Sequence, residues 1–230
     1  MIGMAKLQFL HHSFFKLILP ECTLLMDPFV NVPSNVHVKP RTRCPASKRS
    51  FRDVNLILVS HEHFDHFDRK LIEDIVKASN ATVVAYDNIL AQLNIKRSNK
   101  VPISASKKLN LKGVSIEAFH VHHPSSFYPL GFKIESNGLS LIHTGDTFLM
   151  DSFSRLKADV LLVPIGGTMT MDITDAVKVV KNVQPKIAIP MHYNTFDIIK
   201  ASPQEFKEKL ENSVLETKPV ILKPGKSIKL

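Results

Sequence analysis

The amino-acid pattern predicts an α/β sandwich: two packed β-sheets of mixed strands with helices on the outside. Three observations carry that expectation. Short apolar runs rich in β-branched residues recur along the chain, helix-period segments separate several of them, and a strand–loop–helix unit in the first half has a weak echo in the second.

In chain order the strand runs are Leu7–Leu10, Thr23–Met26, Asn55–Val59, Thr82–Ala85, Val114–Val121, Leu130–Glu135, Leu139–Ile142, Val160–Val163 and Ile187–Ile189. Bounding Asn, Gly or Pro residues favour strands over short buried helices. Phe132–Glu135 and Leu139–Ile142 flank Ser136-Asn137-Gly138, which predicts a hairpin closed by an Asn-Gly turn. Helices are expected over 69–79, over 173–183, and from Pro203 to about Leu210. The first places Leu71, Ile72, Ile75 and Val76 on one face, with Asp68 as cap and Asn80 as stop. The second aligns Ala176, Val177, Val180 and Val183. Ser202-Pro203-Gln204-Glu205 opens the third as a capping box with Pro at the first helical position. The echo pairs Asp53–Val59, which leads into a histidine cluster, with Asp159–Pro164, which leads into Ile165-Gly166-Gly167.

At 230 residues the chain fits one domain, 1–230, and no low-complexity segment or linker divides it. No stretch approaches the roughly 20 apolar residues of a membrane span, so no membrane association is expected. The N-terminal stretch lacks the basic, apolar and small-residue regions of a signal peptide. Cys22 and Cys44 are the two cysteines and have no CxxC context. Free thiols, rather than a disulfide, and a cytoplasmic location are therefore expected. Lys and Arg outnumber Asp and Glu by 30 to 21, a net charge of +9. That balance favours anionic partners, although solubility alone accounts for it too. Six of the basic residues (Lys39, Arg41, Arg43, Lys48, Arg49, Arg52) lie between Asn31 and Arg52 with no acid among them. Pro33, Pro40 and Pro45 make this stretch a loop. It has three open roles: capping a site for acidic substrates, self-association into a homo-oligomer, or a solvated excursion.

The eleven histidines are not spread evenly. His61-Glu62-His63-Phe64-Asp65-His66 follows directly on the strand run ending at Val59 and Ser60. A spacing of two puts His61 and His63 on the same side of an extended segment, while Asp65 and His66 come from the turn opening the next helix. Imidazoles with an added carboxylate are donors that grip divalent ions. Three histidines and an aspartate within six residues at a strand end are hard to assign to a chance polar loop.

His-x-His-x-Asp-His after an apolar strand resembles the signature of the metallo-β-lactamase superfamily. His143-Thr144-Gly145-Asp146-Thr147 is similar to that family's Gly-Asp motif, and Pro190-Met191-His192-Tyr193-Asn194 to its last histidine motif. Leu162–Met171, Asp27-Pro28-Phe29 and His12-Ser13-Phe14 resemble segments of a short branch that includes the ascorbate-phosphate lactonases. The resemblance covers nearly the whole chain in order. It implies a four-layer αββα sandwich of two mixed β-sheets and a pair of divalent metal ions, zinc first, with manganese or iron as alternatives. It implies that His61, His63 and a third histidine hold one ion, that Asp65, His66 and His192 hold the other, and that Asp146 bridges. For the third histidine, His120, His122 and His123 all stand as candidates. A ligand after an Ala-aromatic pair selects His120. A His-Pro before a Gly-aromatic strand selects His123, the preferred choice. His143 is expected to be structural, and His12 to line the site or to be a buried hydrogen-bonded residue.

The chemistry expected is hydrolysis by a metal-bridged hydroxide, since a divalent cation lowers the pKa of bound water to about 7. Asp65 and Asp146 are the expected catalytic carboxylates, and Thr147 and Asn194 support the ligand loops. Gly166-Gly167-Thr168-Met169-Thr170 either presents N–H groups to an anionic substrate at a helix N-terminus or is a turn before an N-cap (Thr170 or Asp172). Met169 and Met171 are expected to pack. The expected substrate is a small, anionic ester, lactone or phosphate-bearing metabolite. A nucleic acid cleaved by a phosphodiesterase or nuclease is the alternative, favoured by the charge. The lack of a basic groove interleaved with aromatics argues against that alternative. A non-catalytic binding role ranks last, because the donor set is complete.

Overall fold

Alternation along the central strands decides which layer each residue joins. The computed structural model describes residues 5–230, and the first four residues of the expected domain lie outside the described residues. In β4 (Leu56–Leu58), Leu56 and Leu58 face one way, while Ile57 and the following Val59 face the other. In β11 (Val160–Pro164), Leu162 takes the first role and Leu161 and Val163 the second. Both strands are covered on both faces, so they read as continuous apolar runs.

The first sheet contains β1 (Lys6–His11), β2 (Phe14–Ile18), β3 (Thr23–Met26), β4, β5 (Thr82–Ala85), β6 (Lys100–Pro102) and β14 (Ser227–Lys229), in the order β14-β1-β2-β3-β4-β5-β6. The second contains β7 (Lys108–Leu111), β8 (Val114–His120), β9 (Leu130–Ser136), β10 (Leu139–His143), β11, β12 (Ile187–Met191) and β13 (Lys218–Pro219), in the order β13-β12-β11-β10-β9-β8-β7. Each sheet is mixed. The β3–β6 and β10–β13 neighbours pair in parallel, and the remaining neighbours pair antiparallel. The echo seen in the sequence is thus two parallel strands, β4 and β11, each flanked by parallel neighbours in its own sheet.

Between the sheets lies a shared core: Leu7, Phe15, Leu17, Leu24, Leu56 and Leu58 meet Ile116, Phe132, Leu141, Leu162 and Ile189. Outside the first sheet pack α1 (Arg69–Ser79) and α2 (Asp87–Gln92), whose Ile72, Ile75 and Ile89 cover Ile57, Val59 and Val83. Outside the second, α3 (Ile173–Val183) and α4 (Pro203–Glu211) place Ala176, Val180 and Phe206 against Leu161, Val163 and Ala188. Each such buried aliphatic side chain contributes about 1.5–3 kcal/mol. The layer order is the αββα sandwich expected.

Local signals hold as well. Asp68 caps α1 by accepting from Leu71 N–H, and Asn80 ends it in the left-handed region. Asp172, rather than Thr170, caps α3. Ser136 pairs with Leu139 around Asn137 and Gly138, whose φ values of 47° and 81° make a type I′ turn. Among the described residues, no helix is long and apolar enough to cross a membrane.

Candidate metal centre

Donor residues gather where parallel strands end. Ser60–His66 follows β4, Asp27 follows β3, Asp146 follows β10, His192 follows β12, and His123 lies in the loop after β8. The carboxyl ends of parallel strands are where open α/β sheets present functional groups. The two sheets contribute together: the first supplies the His61–His66 segment, and the second supplies His123, Asp146 and His192.

All seven residues singled out in the sequence meet there. His63 Nδ1 lies 3.1 Å from His61 Nε2 and 3.1 Å from His123 Nε2. Asp146 Oδ2 is 2.9 Å from His192 Nε2, 3.8 Å from His123 Nε2 and 3.9 Å from His61 Nε2. Asp146 Oδ1 is 3.2 Å from His66 Nε2, and Asp65 Oδ2 is 4.0 Å from His192 Nε2. Donor atoms fall into three overlapping groups, each with all atoms within 4.8 Å of one another: His61, His63, His123; His61, His66, Asp146; and His12, Asp65, His66, His192. Of the three histidines offered after β8, His123 is the buried one that reaches His63, while His120 and His122 are exposed.

The donor set fits divalent cations. His66 Nε2 and Asp146 Oδ1 are fully buried and face each other, yet neither makes a hydrogen bond. Buried polar atoms without hydrogen-bond partners are rare unless something else satisfies them. Imidazole nitrogens and carboxylate oxygens converging at ligand-to-ligand separations are what a bound divalent ion needs.

Supporting residues hold the imidazoles by their far nitrogens. Asp27 Oδ1 accepts Ser60 N–H at 2.7 Å, and Oδ2 accepts Ser60 Oγ–H at 2.7 Å. Asp27 Oδ2 also accepts from His66 Nδ1 at 2.8 Å. With its proton given to Asp27, Ser60 Oγ accepts from His61 Nδ1 at 2.9 Å. One buried carboxylate thereby directs the Nε2 lone pairs of both His61 and His66 inward. Met169 O does the same for His123 Nδ1 at 3.1 Å. Asp27 appeared in the sequence within a motif, but its role did not. His143 is structural: its Nε2 donates to Ser13 O at 3.0 Å and its Nδ1 accepts Gly145 N–H at 3.1 Å. Asn194 ties its loop to Ala201 through both amide atoms, at 2.8 and 3.1 Å. Thr147 accepts His122 N–H at 3.1 Å.

Backbone geometry brings these loops close. Gly145 has φ 62°, and a Cβ there would meet Leu130 O at 2.8 Å and Ser60 Cβ at 3.0 Å. Glycine is required for the Asp146 loop to lie against Ser60. At Gly166 a Cβ would meet His192 O at 2.2 Å, so the glycine loop serves close packing against the His192 loop. Two of its own N–H groups are spent locally: Gly167 N–H donates to Met171 O and Thr170 N–H to Gly167 O. Met171 is buried as expected, while Met169 is 43 % exposed. His12, Asp27, His192 and Asn194 all take left-handed backbone, a costly conformation that collects at functional sites.

The electrostatics set the charge states. Burial pushes the His61 imidazole well below its ordinary range, and the charge on His66 adds to this, partly offset by Asp146. Burial alone would lower His66 too, but the charge on Asp146 and the hydrogen bond to Asp27 hold it well above. Burial opposes ionisation of Asp146, yet His192 and His66 hold its carboxyl well below the usual range. Asp65 is likewise held low, against burial, by the His12 ring nitrogen 3.2 Å away and the charge on His66. The site is therefore two ionised carboxylates among imidazoles.

Comparison with known proteins places the chain in a family. The profile of a family described as "Beta-lactamase superfamily domain" matches residues 6–192. A "UPF0173 metal-dependent hydrolase" of Staphylothermus marinus is 35% identical over 236 residues, covering 97% of this chain and 98% of the relative. Another, of Alkaliphilus metalliredigens, is 36% identical over 221 residues, covering 90% and 94%. Among solved structures, the metallo hydrolase Igni18 of the archaeon Ignicoccus hospitalis superposes with a TM-score of 0.84 at 26% identity, covering 99% of both chains. The chain belongs to the β-lactamase superfamily and is one of its metal-dependent hydrolases.

Proposed function

We propose that the chain, as a single domain, hydrolyses a small anionic ester, lactone or phosphate-bearing metabolite with the aid of two divalent cations. His61, His63 and His123 would hold one, and Asp65, His66 and His192 the other, with Asp146 shared. The observation that carries this reading is the position of Asp146. Its Oδ2 lies 2.9 Å from His192 Nε2, 3.8 Å from His123 Nε2 and 3.9 Å from His61 Nε2, and its Oδ1 lies 3.2 Å from His66 Nε2, so imidazoles from both proposed positions converge on it. A carboxylate can only accept, and one flanked by two imidazole groups suits a ligand common to two ions. Imidazole donors favour zinc, and the carboxylates admit manganese or iron. Such ions, when bound, lower the pKa of water and polarise the oxygen of a substrate.

The chain's own residues supply orientation and charge. Asp65 is the carboxylate we assign to accept a hydrogen bond from the attacking water. An anionic substrate is supported by the placement of the basic loop. Arg41 N–H donates to Thr195 O at 2.7 Å, and His11 Nε2 lies 3.0 Å from Thr42 O. These contacts tie the loop at Arg41 and Thr42 to residues next to His12 and His192, while the Lys39, Arg41 and Arg43 side chains stay exposed. Lys200 adds a second cation near Arg41, both pairing with Asp197. The cysteines are free thiols, which supports a cytoplasmic setting.

The test is metal analysis of protein purified without chelator, followed by a screen of phosphodiesters, lactones and thioesters. Two ions per chain and turnover of one anionic class are expected. Asp146→Ala should lose the metal pair and turnover together, and normal metal content and turnover in that variant would refute the shared role. The net charge of +9 favours nucleic acid as the second reading. Retention on RNA that falls steeply between low and moderate salt would support it.

A further inference from the structure

His12 is a buried imidazole left without a role by this assignment, although its neighbours all have one. It follows β1 in left-handed backbone, with φ 58°, and is 1 % exposed. Its carbonyl oxygen accepts His192 N–H at 3.0 Å, and the two rings lie 4.1 Å apart between centroids. Nδ1 is 3.0 Å from Thr195 Oγ1. Nε2 stands 3.2 Å from Asp65 Oδ2, short of full hydrogen-bond alignment, and is buried with no other partner.

Where the ring proton sits decides what His12 can do. Thr195 has one hydroxyl proton. Its other acceptor is Tyr193 O at 3.5 Å, a weaker contact than the 3.0 Å to His12 Nδ1. Asp65 Oδ2, 3.2 Å from Nε2, is a carboxylate oxygen and can only accept, so the ring proton faces it and Nδ1 takes the Thr195 hydroxyl proton. A neutral imidazole that accepts at Nδ1 carries its own proton on Nε2, and an N–H is not a metal ligand.

We propose that His12 is a positioning residue for the second cation position: it donates Nε2–H to Asp65 while its carbonyl fixes the backbone of His192, and Thr195 sets the tautomer. One residue thereby steadies a side-chain donor from the first sheet and a loop donor from the second. The inference rests on the proposed assignment of Asp65 and His192 to that position.

Calorimetric titration of chelator-treated protein with Zn²⁺ alone, and with Mn²⁺ alone, tests it. The proteins are the parent chain, His12→Gln, His12→Leu, Thr195→Val and the His12→Gln, Thr195→Val pair. Glutamine keeps an N–H donor and leucine does not. His12→Leu should bind the second ion about 10–100-fold more weakly, the loss typical of removing a ligand's supporting partner. The first ion should be unaffected. His12→Gln should restore most of the second-ion affinity. Thr195→Val should weaken the second ion in the parent chain and have no effect beside His12→Gln, whose donor needs no tautomer set. Parent affinity in His12→Leu, equal losses in the Gln and Leu variants, or a Thr195 effect undiminished beside His12→Gln would each overturn the proposal. If thermal unfolding shows His12→Leu misfolded, the two Thr195 backgrounds still decide it. Asp65→Ala separates this proposal from the functional reading. Retention of both ions there removes the assignment of Asp65 itself, whereas loss of an ion there with parent affinity in His12→Leu removes only the role of His12.

Discussion

Replacing Asp27 by asparagine removes one oxygen from a carboxylate that three donors share. Oδ1 takes Ser60 N–H at 2.7 Å, and Oδ2 takes Ser60 Oγ–H at 2.7 Å and His66 Nδ1–H at 2.8 Å. Asparagine keeps an acceptor for the Ser60 amide but puts an NH₂ group where Oδ2 stood. His66 then faces a donor and must move its proton to Nε2, the atom pointing at Asp146. Ser60 can accept from the NH₂ only by turning its own proton toward His61 Nδ1, 2.9 Å away. That turn forces the His61 proton onto Nε2 as well. Either both imidazoles lose their inward lone pairs, or buried donors are left unpaired at about 1–3 kcal/mol each. At 1.4 kcal/mol per decade this corresponds to affinities weaker by roughly 10–100-fold at each cation position. Zinc titration of the chelator-treated variant measures the loss, and imidazole ¹⁵N shifts report the tautomers. An Asp27→Asn protein with parental zinc affinity at both positions and unchanged tautomers would refute the reasoning.

Three further outcomes are expected. Leu58→Ala opens a cavity in the core between the sheets, where Leu58 is fully buried. It should cost about 3 kcal/mol and lower Tm by roughly 6–12 °C in a chain of this size; a shift under a third of that in a thermal melt would mean the core closes over the gap. Arg41→Ala, in the loop tied to residues next to His12 and His192, should raise KM for an anionic substrate about fivefold without changing kcat; unchanged kinetics would remove the loop from recognition. The metal-free chain should weaken as pH falls below about 6.5. Burial holds His12 at about 3 and depresses His11, His61, His123 and His143, so the unfolded state binds protons first. His66 is raised, so its contribution is complete below about 6.5 and is lost only as pH rises through its folded value. Asp65 and Asp146, both depressed, weigh in only below about 3.9. A denaturant midpoint no lower at pH 5 than at pH 7 would contradict this.

The elements that could be read in advance are those whose signal is local. β4 and β11 stand out as apolar runs because both of their faces are covered, and the caps of α1 and α4 lie within three or four residues of the groups they satisfy. β2 escaped because it breaks the expected pattern. Phe14 faces α1's side of the sheet, Phe15 and Leu17 face the inner core, and Lys16 between them is buried against Asp53 at 2.7 Å. A lysine in a run without alternation reads as neither strand face. β13 and β14, with two and three residues, are too short to carry a period. Within the site, His61 to His66 were legible because their spacing is itself the chemistry. The support was not. Asp27 acts on Ser60, 33 residues away, and Thr195 on His12 across 183 residues, contacts that exist only once the sheets have closed. His123 could be favoured over His120 by resemblance, but only burial separates them physically.

Because neither sheet owns a full set of donors, an isolated half of this molecule would be a poor chelator. The ions would act as a clasp across the seam, gripping only after both halves have come together. Metal uptake should therefore arrive late in refolding. Stripping the ions should loosen the joint between the halves before it loosens either half, with amide exchange rising first in the loops that follow β4, β10 and β12.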